Sequence, residues 1–433
     1  MVPVSRPVAY TGENAPVLDG LREILSPLLA FYLDLHQHPE LSGRESRTAA
    51  RFADWLAGER YEVTRGVGGH GVVGLLRNGS GPRIMLRTEL DALPVRERTG
   101  LAYASDGPVM HACGHDLHAA AVAGAATLLA RATDHWRGTV MIVGQPAEET
   151  LEGAEAMLRD GLYERFGRPG TVLAQHAAPL PAGMVAHARE HGPLLAGSVG
   201  MDVVIHGRGG HAGAPHLAVD PVLTAAAVVL RLQGVVSRET APAEQAVLTV
   251  GCLNAGSHSN VVADRATLGL TVRALSETSL DRLTAAVERI VGAECTASGC
   301  PREPEITVVS RSPVTVPDHE ATGAVRRAHS ALYGPQRVST WPPAMATEDF
   351  PRYADEEFAG QEPTGIGLVY WMLGVVGAGQ WSRAPGAGAA EKLAALPANH
   401  SPEFAPDARA ALPMGVTAMT AAALARLGEP PHP

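Results

Sequence analysis

Helical segments alternate regularly with short apolar runs in the first part of the chain. A helix over 116–131, the run GTVMIVG, a helix over 152–160 and the run TVLAQHA follow one another. Two earlier helices, over 17–36 and 44–60, are followed by the strand-like runs GVVGLL and RIMLRT. Strands that alternate with helices are typical of an α/β domain with a largely parallel sheet. The sequence therefore predicts the α/β fold class.

This alternation is interrupted near residue 196. The run SVGMDVVIHG, a long helix, two further strands and a second helix follow, and their order predicts an α+β open-faced sandwich. The earlier pattern then returns, with helices over 319–333 and 407–427, and the Gly/Ala-rich segment 375–396 is predicted to be a loop. We therefore predict an α/β domain in two parts, 1–194 and 313–433, with a second domain inserted at 195–312.

Charge and hydropathy argue against two classes of partner. The 433-residue chain has 45 acidic and 35 basic residues, a net charge of −10, and no Lys/Arg cluster that could follow a phosphate backbone. Nucleic acid is therefore not an expected partner. The longest apolar runs hold roughly a dozen residues, short of a membrane span. Residues 1–20 lack a basic region followed by an apolar core, so we predict a cytoplasmic protein without a membrane partner.

The four cysteines, Cys113, Cys252, Cys295 and Cys300, are too few and too scattered for a disulfide scaffold in a chain of this size. Cys295 and Cys300 are close enough in sequence for a disulfide, and two reduced thiols are the alternative. Cys113 differs from the others because histidines stand on both sides of it.

The segment MHACGHDLHAAA, residues 110–121, gathers several side chains that can bind a metal ion. With Gly114 between them, Cys113 and His115 can face one point in extended or turn geometry, whereas on a regular helix they would point to opposite sides. Asp116 is a suitable N-cap for the helix that follows, so we predict both ligands on a loop ahead of it. Thiolate and imidazole favour zinc or a similar divalent ion over magnesium or calcium.

Further candidate ligands follow three of the predicted strands. Asp91 comes after RIMLRTEL, Glu148 and Glu149 come after VMIVGQPA, and His176 ends the run TVLAQH. Taken singly, the two glutamates also fit a solvated helix start, and His176 fits a buried core histidine. In an open α/β sheet, however, ligands bind beyond the carboxyl ends of the strands. One convergent site therefore accounts for all four residues.

The adjacent carboxylates Glu148 and Glu149 are predicted to have different roles in the site. Neighbouring side chains diverge, so one can bind a metal while the other accepts a proton from water whose pKa the metal has lowered towards ~7. The same carboxylate can then pass that proton to a leaving amine. This arrangement indicates metal-assisted hydrolysis of an amide bond.

Longer motifs resemble one known family, the M20 metallopeptidases, and within it the aminoacylase, hippurate hydrolase and auxin-conjugate hydrolase branch. The matching stretches follow one another in family order: LHQHPELSGRE, LRTELDALPVRERTGLAYAS, MHACGHDLHAAAVAGAA, GTVMIVGQPAEE, GRGGHAGAPHLAVDPV, NVVADRATLGLTVR, ATEDF and NHSPEF. The pair MHACGHDLH and QPAEE is highly specific. The resemblance implies a two-domain, zinc-peptidase-like α/β catalytic domain at 1–194 and 313–433. It also implies that 195–312 is a ferredoxin-like lid and dimerisation domain.

The resemblance further implies a site for two divalent metal ions. Zinc is the expected metal, with manganese, cobalt and nickel as alternatives. Cys113 is implied to bridge the two ions, and the remaining ligands are His115, Glu149, His176 and His400. Only the resemblance points to His400, since no local spacing connects it with the others.

Catalytic and substrate-binding roles follow from the same motifs. Glu148 is implied as the general base, and Asp91 as a residue that supports the ligands. In the lid, His211 is implied to polarise the scissile carbonyl and Asn260 to lie near the substrate. Arg273 is implied to pair with the substrate's carboxylate, for which a guanidinium is physically apt.

Three departures from the family pattern are present, one of which is that NVVAD stands where NVIPD is commoner. Glu89, in RTELDALP, stands where the branch usually has an aspartate, and segment 375–396 is an insertion ahead of His400. Several other histidines lie in family-like motifs, and we expect packing or hydrogen bonding rather than a metal role for them: His36, His38, His111, His118 and His216.

We therefore predict a metal-dependent amidohydrolase that cleaves small N-acyl amino acids to a carboxylic acid and an amino acid. We expect it to form a homodimer or a higher homo-oligomer. A dipeptidase or carboxypeptidase, or a deacylase of one pathway intermediate, is the alternative on the same scaffold. A non-catalytic metal-binding protein is a further alternative, but such a protein would have lost the base or several ligands, and this chain retains them.

Overall fold

The computed structural model describes residues 15–355, 358 and 365–428. These residues form two units. Unit 1 contains the described residues of 1–192, 317–342 and 352–433, and unit 2 contains residues 193–316 and 343–351. Residues 343–351, which the sequence assigns to the second part of the α/β domain, group with unit 2. The predicted absence of a targeting segment rests largely on residues 1–14, which lie outside the described residues.

Unit 1 is built on a mixed sheet. Its strands in the described part of the chain are β1 (Glu62–Val67), β2 (Gly71–Asn78), β3 (Arg83–Glu89), β4 (Gly138–Gln145), β5 (Thr171–Pro181), β6 (Val185–His187), β13 (Val338–Thr340) and β14 (Gly367–Val376). They lie in the order β1-β2-β4-β3-β5-β14-β6-β13. The central strands β4, β3, β5 and β14 are parallel to one another.

The α/β class is confirmed, but the sheet is less parallel than predicted. Strands β1 and β2 pair in antiparallel fashion because only a short turn joins them, and β2 is antiparallel to β4. At the other side of the sheet, β6 runs antiparallel to β14. Parallel pairing is therefore found among the four central strands and between β6 and β13 at one edge, and at the centre the carboxyl ends of β3 and β4 lie side by side.

The helices of unit 1 are α1 (Ala15–Asp19), α2 (Leu21–Gln37), α3 (Ser46–Gly58), α4 (His115–Arg131), α5 (Gly153–Arg159), α6 (Leu162–Phe166), α9 (His319–Tyr333), α10 (Ala378–Arg383), α11 (Ala389–Ala395) and α12 (Ala408–Leu424). The prediction of a loop over 375–396 is wrong, because α10 and α11 lie there. The Gln380 and Glu391 side chains accept backbone N–H bonds at the starts of these two helices and cap them.

Helix α4 explains the alanine-rich run that follows the candidate ligands. Its side chains are buried from His115 to Ala130, and it packs between α2 and α12. A Cβ added at Gly124 would lie 2.6 Å from a methyl of Val416 and 2.7 Å from one of Leu28. Only small residues permit such close approach in a packed interior. The helix therefore gives the metal-capable segment a rigid support.

Unit 2 contains an antiparallel sheet with two helices. Its elements are β7 (Gly197–His206), β8 (Gly210–His211), α7 (Pro221–Arg238), β9 (Ala246–Ala255), β10 (Val261–Val262), β11 (Arg265–Ala274), α8 (Glu277–Ala297) and β12 (Glu305–Ser312). The order β12-β7-β11-β9 is that of a ferredoxin-like β-α-β-β-α-β unit, as predicted. Strands β8 and β10 form a separate two-stranded ribbon.

Helix α7 is the one described helix that is long and apolar enough to cross a membrane. Its Asp220 N-cap accepts hydrogen bonds from the N–H groups of Val222 and Leu223. A stripe along the helix that includes Val228 and Leu232 belongs to the hydrophobic core of unit 2. The rest of the helix is more exposed, and Leu230 keeps 75% of its surface accessible.

Candidate metal centre

The segment MHACGHD turns sharply before α4 begins. Gly114 has a φ of 88°, in the left-handed region that favours glycine. His115 is the first residue of α4, so it lies on the helix and not on the preceding loop as predicted, whereas Cys113 does precede the helix. The prediction that Asp116 caps α4 is wrong, because Gly114 occupies the N-cap position and the Asp116 carboxylate lies 2.6 Å from a ring nitrogen of His36.

The His36–Asp116 pair anchors the first turn of α4 to α2. His36 is buried, its Nδ1 faces Asp116, and its Nε2 lies 3.3 Å from Glu97. Burial favours the neutral ring, but the bonds to Asp116 and Glu97 outweigh it and raise the pKa of His36 to about 10. The pair therefore holds the residue that follows His115 against α2.

Asp91, just after β3, contacts two of the candidate ligands. Its Oδ1 lies 3.1 Å from Nδ1 of His115. Its Oδ2 accepts hydrogen bonds from the Glu149 N–H, at 2.9 Å, and from the Ser42 hydroxyl, at 2.7 Å. When His115 donates its Nδ1 proton to Asp91, Nε2 is left to bind a metal, which is the usual arrangement for a ligating histidine. That Nε2 is buried and has no hydrogen-bond partner among the described residues.

Glu148 and Glu149 follow β4 on a strained turn. Ala147 has a φ of 51°, which is uncommon for a residue other than glycine. Oε2 of Glu148 lies 3.7 Å from Nε2 of His115, and Oε1 of Glu149 lies 3.8 Å from the same nitrogen. The turn thus directs two consecutive carboxylates to one ring nitrogen, whereas the sequence led us to expect them to diverge. Their roles as a ligand and a base stay predictions.

His176 lies inside β5 and not at its end as predicted, because the strand continues to Pro181. Its Nδ1 donates to the Ala177 carbonyl at 2.9 Å, so Nε2 is the nitrogen that faces the site. Nε2 lies 3.3 Å from Sγ of Cys113. Cys113, His115 and His176 offer ligand atoms that all lie within 4.8 Å of one another.

His400 reaches the same place from the C-terminal part of the chain. Its neighbour Asn399 donates hydrogen bonds to the carbonyls of Cys113, at 3.2 Å, and Ala177, at 3.1 Å. Nε2 of His400 lies 3.4 Å from Oε2 of Glu149. Cys113, Glu149 and His400 form a second group with ligand atoms within 4.8 Å of one another.

The two groups share Cys113, and their side chains are of the kinds that could hold two metal ions. Imidazole, thiolate and carboxylate are donors that zinc accepts, and the unpartnered Nε2 of His115 fits a ligand role. Burial and the Glu149 carboxylate raise the pKa of Cys113 to about 12, and a bound cation would reverse this because it stabilises the thiolate. The residues therefore fit a metal centre, and the individual ligand roles stay predictions.

His118 belongs to another group with ligand atoms within 4.8 Å of one another, formed with Glu89 and His115, but its ring nitrogens have other partners. Its Nδ1 lies 2.9 Å from Oε2 of Glu89, and its Nε2 accepts the Ala177 N–H at 2.7 Å. Both ring nitrogens are therefore engaged, in line with the expected hydrogen-bonding role. Glu89, which departs from the family pattern, also pairs with the buried Arg87 of the same strand. Through His118 it connects β3 with Ala177, the residue that follows His176.

Glu45 contacts the site and was not identified from the sequence. It is fully buried, and its Oε1 accepts the N–H groups of Gly43, at 2.7 Å, and Ala147, at 2.8 Å. Ala147 is the strained residue immediately before Glu148, so Glu45 holds the turn that carries both carboxylates. The signal was present in the motif LSGRE, but only the fold shows which backbone N–H its glutamate binds.

We expect Glu45→Ala to lower kcat by about 10²-fold, because a displacement of roughly 1 Å in a catalytic group has an effect of that size. Glu45→Gln keeps an oxygen that can accept both N–H bonds, so it should stay within about tenfold of wild type. Steady-state kinetics of the two variants, with metal content measured on the same samples, checks this. Wild-type turnover by Glu45→Ala would contradict the positioning role.

The predicted substrate-binding residues belong to unit 2. His211 lies on β8 and pairs with Val261 of β10, and the Ala212 N–H donates to the Asn260 carbonyl at 3.2 Å, so His211 and Asn260 are neighbours. Arg273 lies on β11, where its Nη1 donates to the Met345 carbonyl at 2.7 Å. Burial lowers the pKa of Arg273. Their roles towards a substrate stay predictions.

Comparison with known proteins identifies a metal-dependent amidohydrolase. A model of peptidase family M20/M25/M40 matches residues 85–381. The chain belongs to this family, which confirms the resemblance drawn from the sequence motifs. His400 lies beyond the matched range.

Individual relatives agree with this assignment. The chain is 36% identical to a hippurate hydrolase of Campylobacter jejuni over 73% of its own length and 82% of that protein. It is 34% identical to an N-acetylcysteine deacetylase of Bacillus subtilis over 80% of its own length and 88% of that protein. Among solved structures it resembles Bacillus subtilis YXEP, a dinuclear metal-binding M20 peptidase. The TM-score is 0.73 and the identity 26%, over 93% of this chain and 98% of that one.

Proposed function

We propose that the protein hydrolyses the amide bond of N-acyl amino acids and releases a carboxylic acid and an amino acid. The observation that carries the proposal is the convergence of Glu148 with the candidate ligand groups around Cys113 and His115. Family membership and two relatives whose names specify N-acyl amino acids, hippurate and N-acetylcysteine, support the substrate class.

We propose zinc as the metal at the site, with manganese, cobalt and nickel as alternatives. The residues that would hold two ions are Cys113, His115, Glu149, His176 and His400. Bound there, the ions would polarise the scissile carbonyl and lower the pKa of water. Asp91 would fix the orientation of His115 through its Nδ1 and the position of Glu149 through its N–H.

Glu148 would transfer the proton. Its carboxylate takes a proton from the attacking water and delivers it to the amine nitrogen as the C–N bond breaks, so the amino acid leaves as a neutral amine. Glu148 is buried, and its neighbour Glu149 is held by the hydrogen bond to Asp91. The two carboxylates can therefore keep separate roles although they are adjacent in sequence.

We propose substrate contacts for three residues of unit 2. His211 would donate a hydrogen bond to the carbonyl oxygen as negative charge develops there. Asn260, its neighbour in unit 2, would contact the same part of the substrate. Arg273 would bind the free carboxylate of the amino acid, for which a guanidinium offers paired N–H donors.

A panel of substrates tests the proposal. Metal-loaded protein should hydrolyse an aromatic N-acyl amino acid, an N-acetyl amino acid or both, with a kcat/KM well above that for a dipeptide. Release of the free amino acid is followed by amine derivatisation. A preference for dipeptides would favour a dipeptidase or carboxypeptidase. No hydrolysis of any member of the panel by protein that contains metal would contradict the proposed function.

We further propose that the protein is a cytoplasmic homodimer that associates through unit 2. Leu223 and Leu230 of α7 are 70% and 75% exposed, and β9 is an edge strand of the sheet. An edge strand and exposed apolar side chains together favour pairing with a second copy. Leu230→Asp should shift sedimentation from dimer towards monomer. A monomeric wild-type protein would contradict this assembly.

A further inference from the structure

A second cluster of metal-capable side chains lies in unit 1, outside the centre around Cys113. Glu190, His191 and His319 offer ligand atoms that all lie within 4.8 Å of one another. The rings of His191 and His319 are stacked, with centroids 4.0 Å apart, and Nε2 of His319 lies 3.5 Å from Oε1 of Glu190. Two imidazoles and a carboxylate are a donor set that zinc, nickel and copper accept.

Both segments that supply the cluster have a defined backbone conformation. His191 has a φ of 54°, in the left-handed region that is uncommon for residues other than glycine but that histidine adopts more often than most. The Gly192 N–H donates to the Arg189 carbonyl across the turn. His319 is the first residue of α9, whose N-cap Asp318 accepts a hydrogen bond from the Ala321 N–H. Strained residues of this kind concentrate at functional sites. The two rings are therefore brought together by a turn and a capped helix.

The cluster opens into a cleft of about 570 Å³, and all of the residues that line it belong to unit 1. Arg189, Arg326 and Arg327 also line this cleft. Their positive charges repel a cation. Interactions between exposed charges are weak and are screened by salt, so this repulsion is small compared with direct bonds between the ligands and a metal ion. The same arginines favour an anion as the remaining ligand of a bound ion.

The position of the cluster along the chain gives it a structural consequence. Unit 1 ends its first segment at Gly192 and resumes at Pro317, with unit 2 between them. Glu190 and His191 come just before the chain leaves unit 1, and His319 comes just after it returns. An ion held by all three would tie these two segments together.

We propose that Glu190, His191 and His319 bind one divalent transition-metal ion, separate from the centre around Cys113. The ion is coordinated by the two imidazoles and the carboxylate, and it joins the chain on either side of the insertion.

Zinc content of the full-length, tag-free chain tests the proposal. Chelator-treated wild type, His191→Ala, His319→Ala and a control, His135→Ala, are dialysed against the same zinc solution and analysed by atomic emission. His135 is an exposed histidine of unit 1 in a short 3-10 helix. We expect wild type and His135→Ala to carry one more zinc per chain than the other two proteins. Equal zinc content in all four proteins would overturn the proposal.

Two further measurements keep this result separate from the proposed hydrolase activity. Glu190→Gln should retain the extra zinc less well than wild type when challenged with a weak chelator, and equal retention would contradict the assignment of Glu190 as a ligand. Hydrolysis by His319→Ala should equal that of wild type, since no residue of the cluster belongs to the centre around Cys113. A loss of hydrolysis in His319→Ala would overturn the independence of the two sites.

Discussion

Glu148→Gln is expected to lower kcat by about 10²- to 10⁴-fold, the range that a positioned general acid or base contributes. Glutamine has the shape of glutamate but cannot take a proton from water, so the variant should fold and bind metal like wild type. Steady-state hydrolysis of an N-acyl amino acid, with metal analysis on the same sample, measures the effect.

The neighbouring Glu149→Gln variant is the matched comparison. Glu149 is within 4.8 Å of Cys113 and His400, so its substitution should lower metal content as well as turnover. A Glu148→Gln protein that is as active as wild type would contradict the assignment of the base. A Glu148→Gln protein that has lost its metal would show that Glu148 is a ligand instead.

Cys113→Ala is expected to cause the second large effect. Cys113 belongs to both ligand groups, so its loss should lower the metal content. Loss of a residue that only supports a ligand typically lowers activity by at most about 10²-fold, so we expect loss of this ligand to lower turnover by more than that. Metal analysis after dialysis, together with turnover at a fixed metal concentration, measures both quantities.

Cys295→Ala is the control for removing a buried thiol. Both cysteines are buried, but Cys295 lies in the hydrophobic core of unit 2 and in neither ligand group around Cys113. The control should keep its metal content and most of its turnover. If Cys113→Ala and Cys295→Ala behaved alike, the effect would be one of stability and the metal role of Cys113 would be wrong.

The sequence predicted those features that depend on local pattern. Apolar runs and helical periodicity located β2 to β5 and the principal helices, including α9 at the observed residues, but they did not identify β1, β6, β12 or β13. Asp91, Glu148 and Glu149 were grouped because each follows a strand, and the structure places them beside His115. Strand-end reasoning works here because β3 and β4 are parallel neighbours.

Contacts between segments that are distant in sequence could not be predicted from local pattern. His400 approaches Glu149 because Asn399 binds the carbonyls of Cys113 and Ala177, and no spacing in the sequence encodes those bonds. Glu45 reaches the Ala147 N–H for the same kind of reason. Such contacts arise only when distant segments pack together.

Local capping rules also failed where another partner competed. Aspartate is a residue type that favours the N-cap position, but the Asp116 carboxylate contacts the ring of His36 and Gly114 occupies the N-cap position. Segment 375–396 has the composition of a loop, but Gln380 and Glu391 cap two short helices within it. In each place the side-chain hydrogen bonds differ from those that the local sequence suggests.

Reversible removal of metal tests the central claim most directly. Wild-type protein is stripped with a chelator, assayed with an N-acyl amino acid, and then assayed again as zinc is returned. We predict that hydrolysis is lost on stripping and recovers as zinc is added, and that Glu148→Gln gains zinc without recovering turnover. Hydrolysis by metal-free wild type, or zinc uptake that restores equal turnover to wild type and Glu148→Gln, would contradict the proposed metal-dependent amidohydrolase.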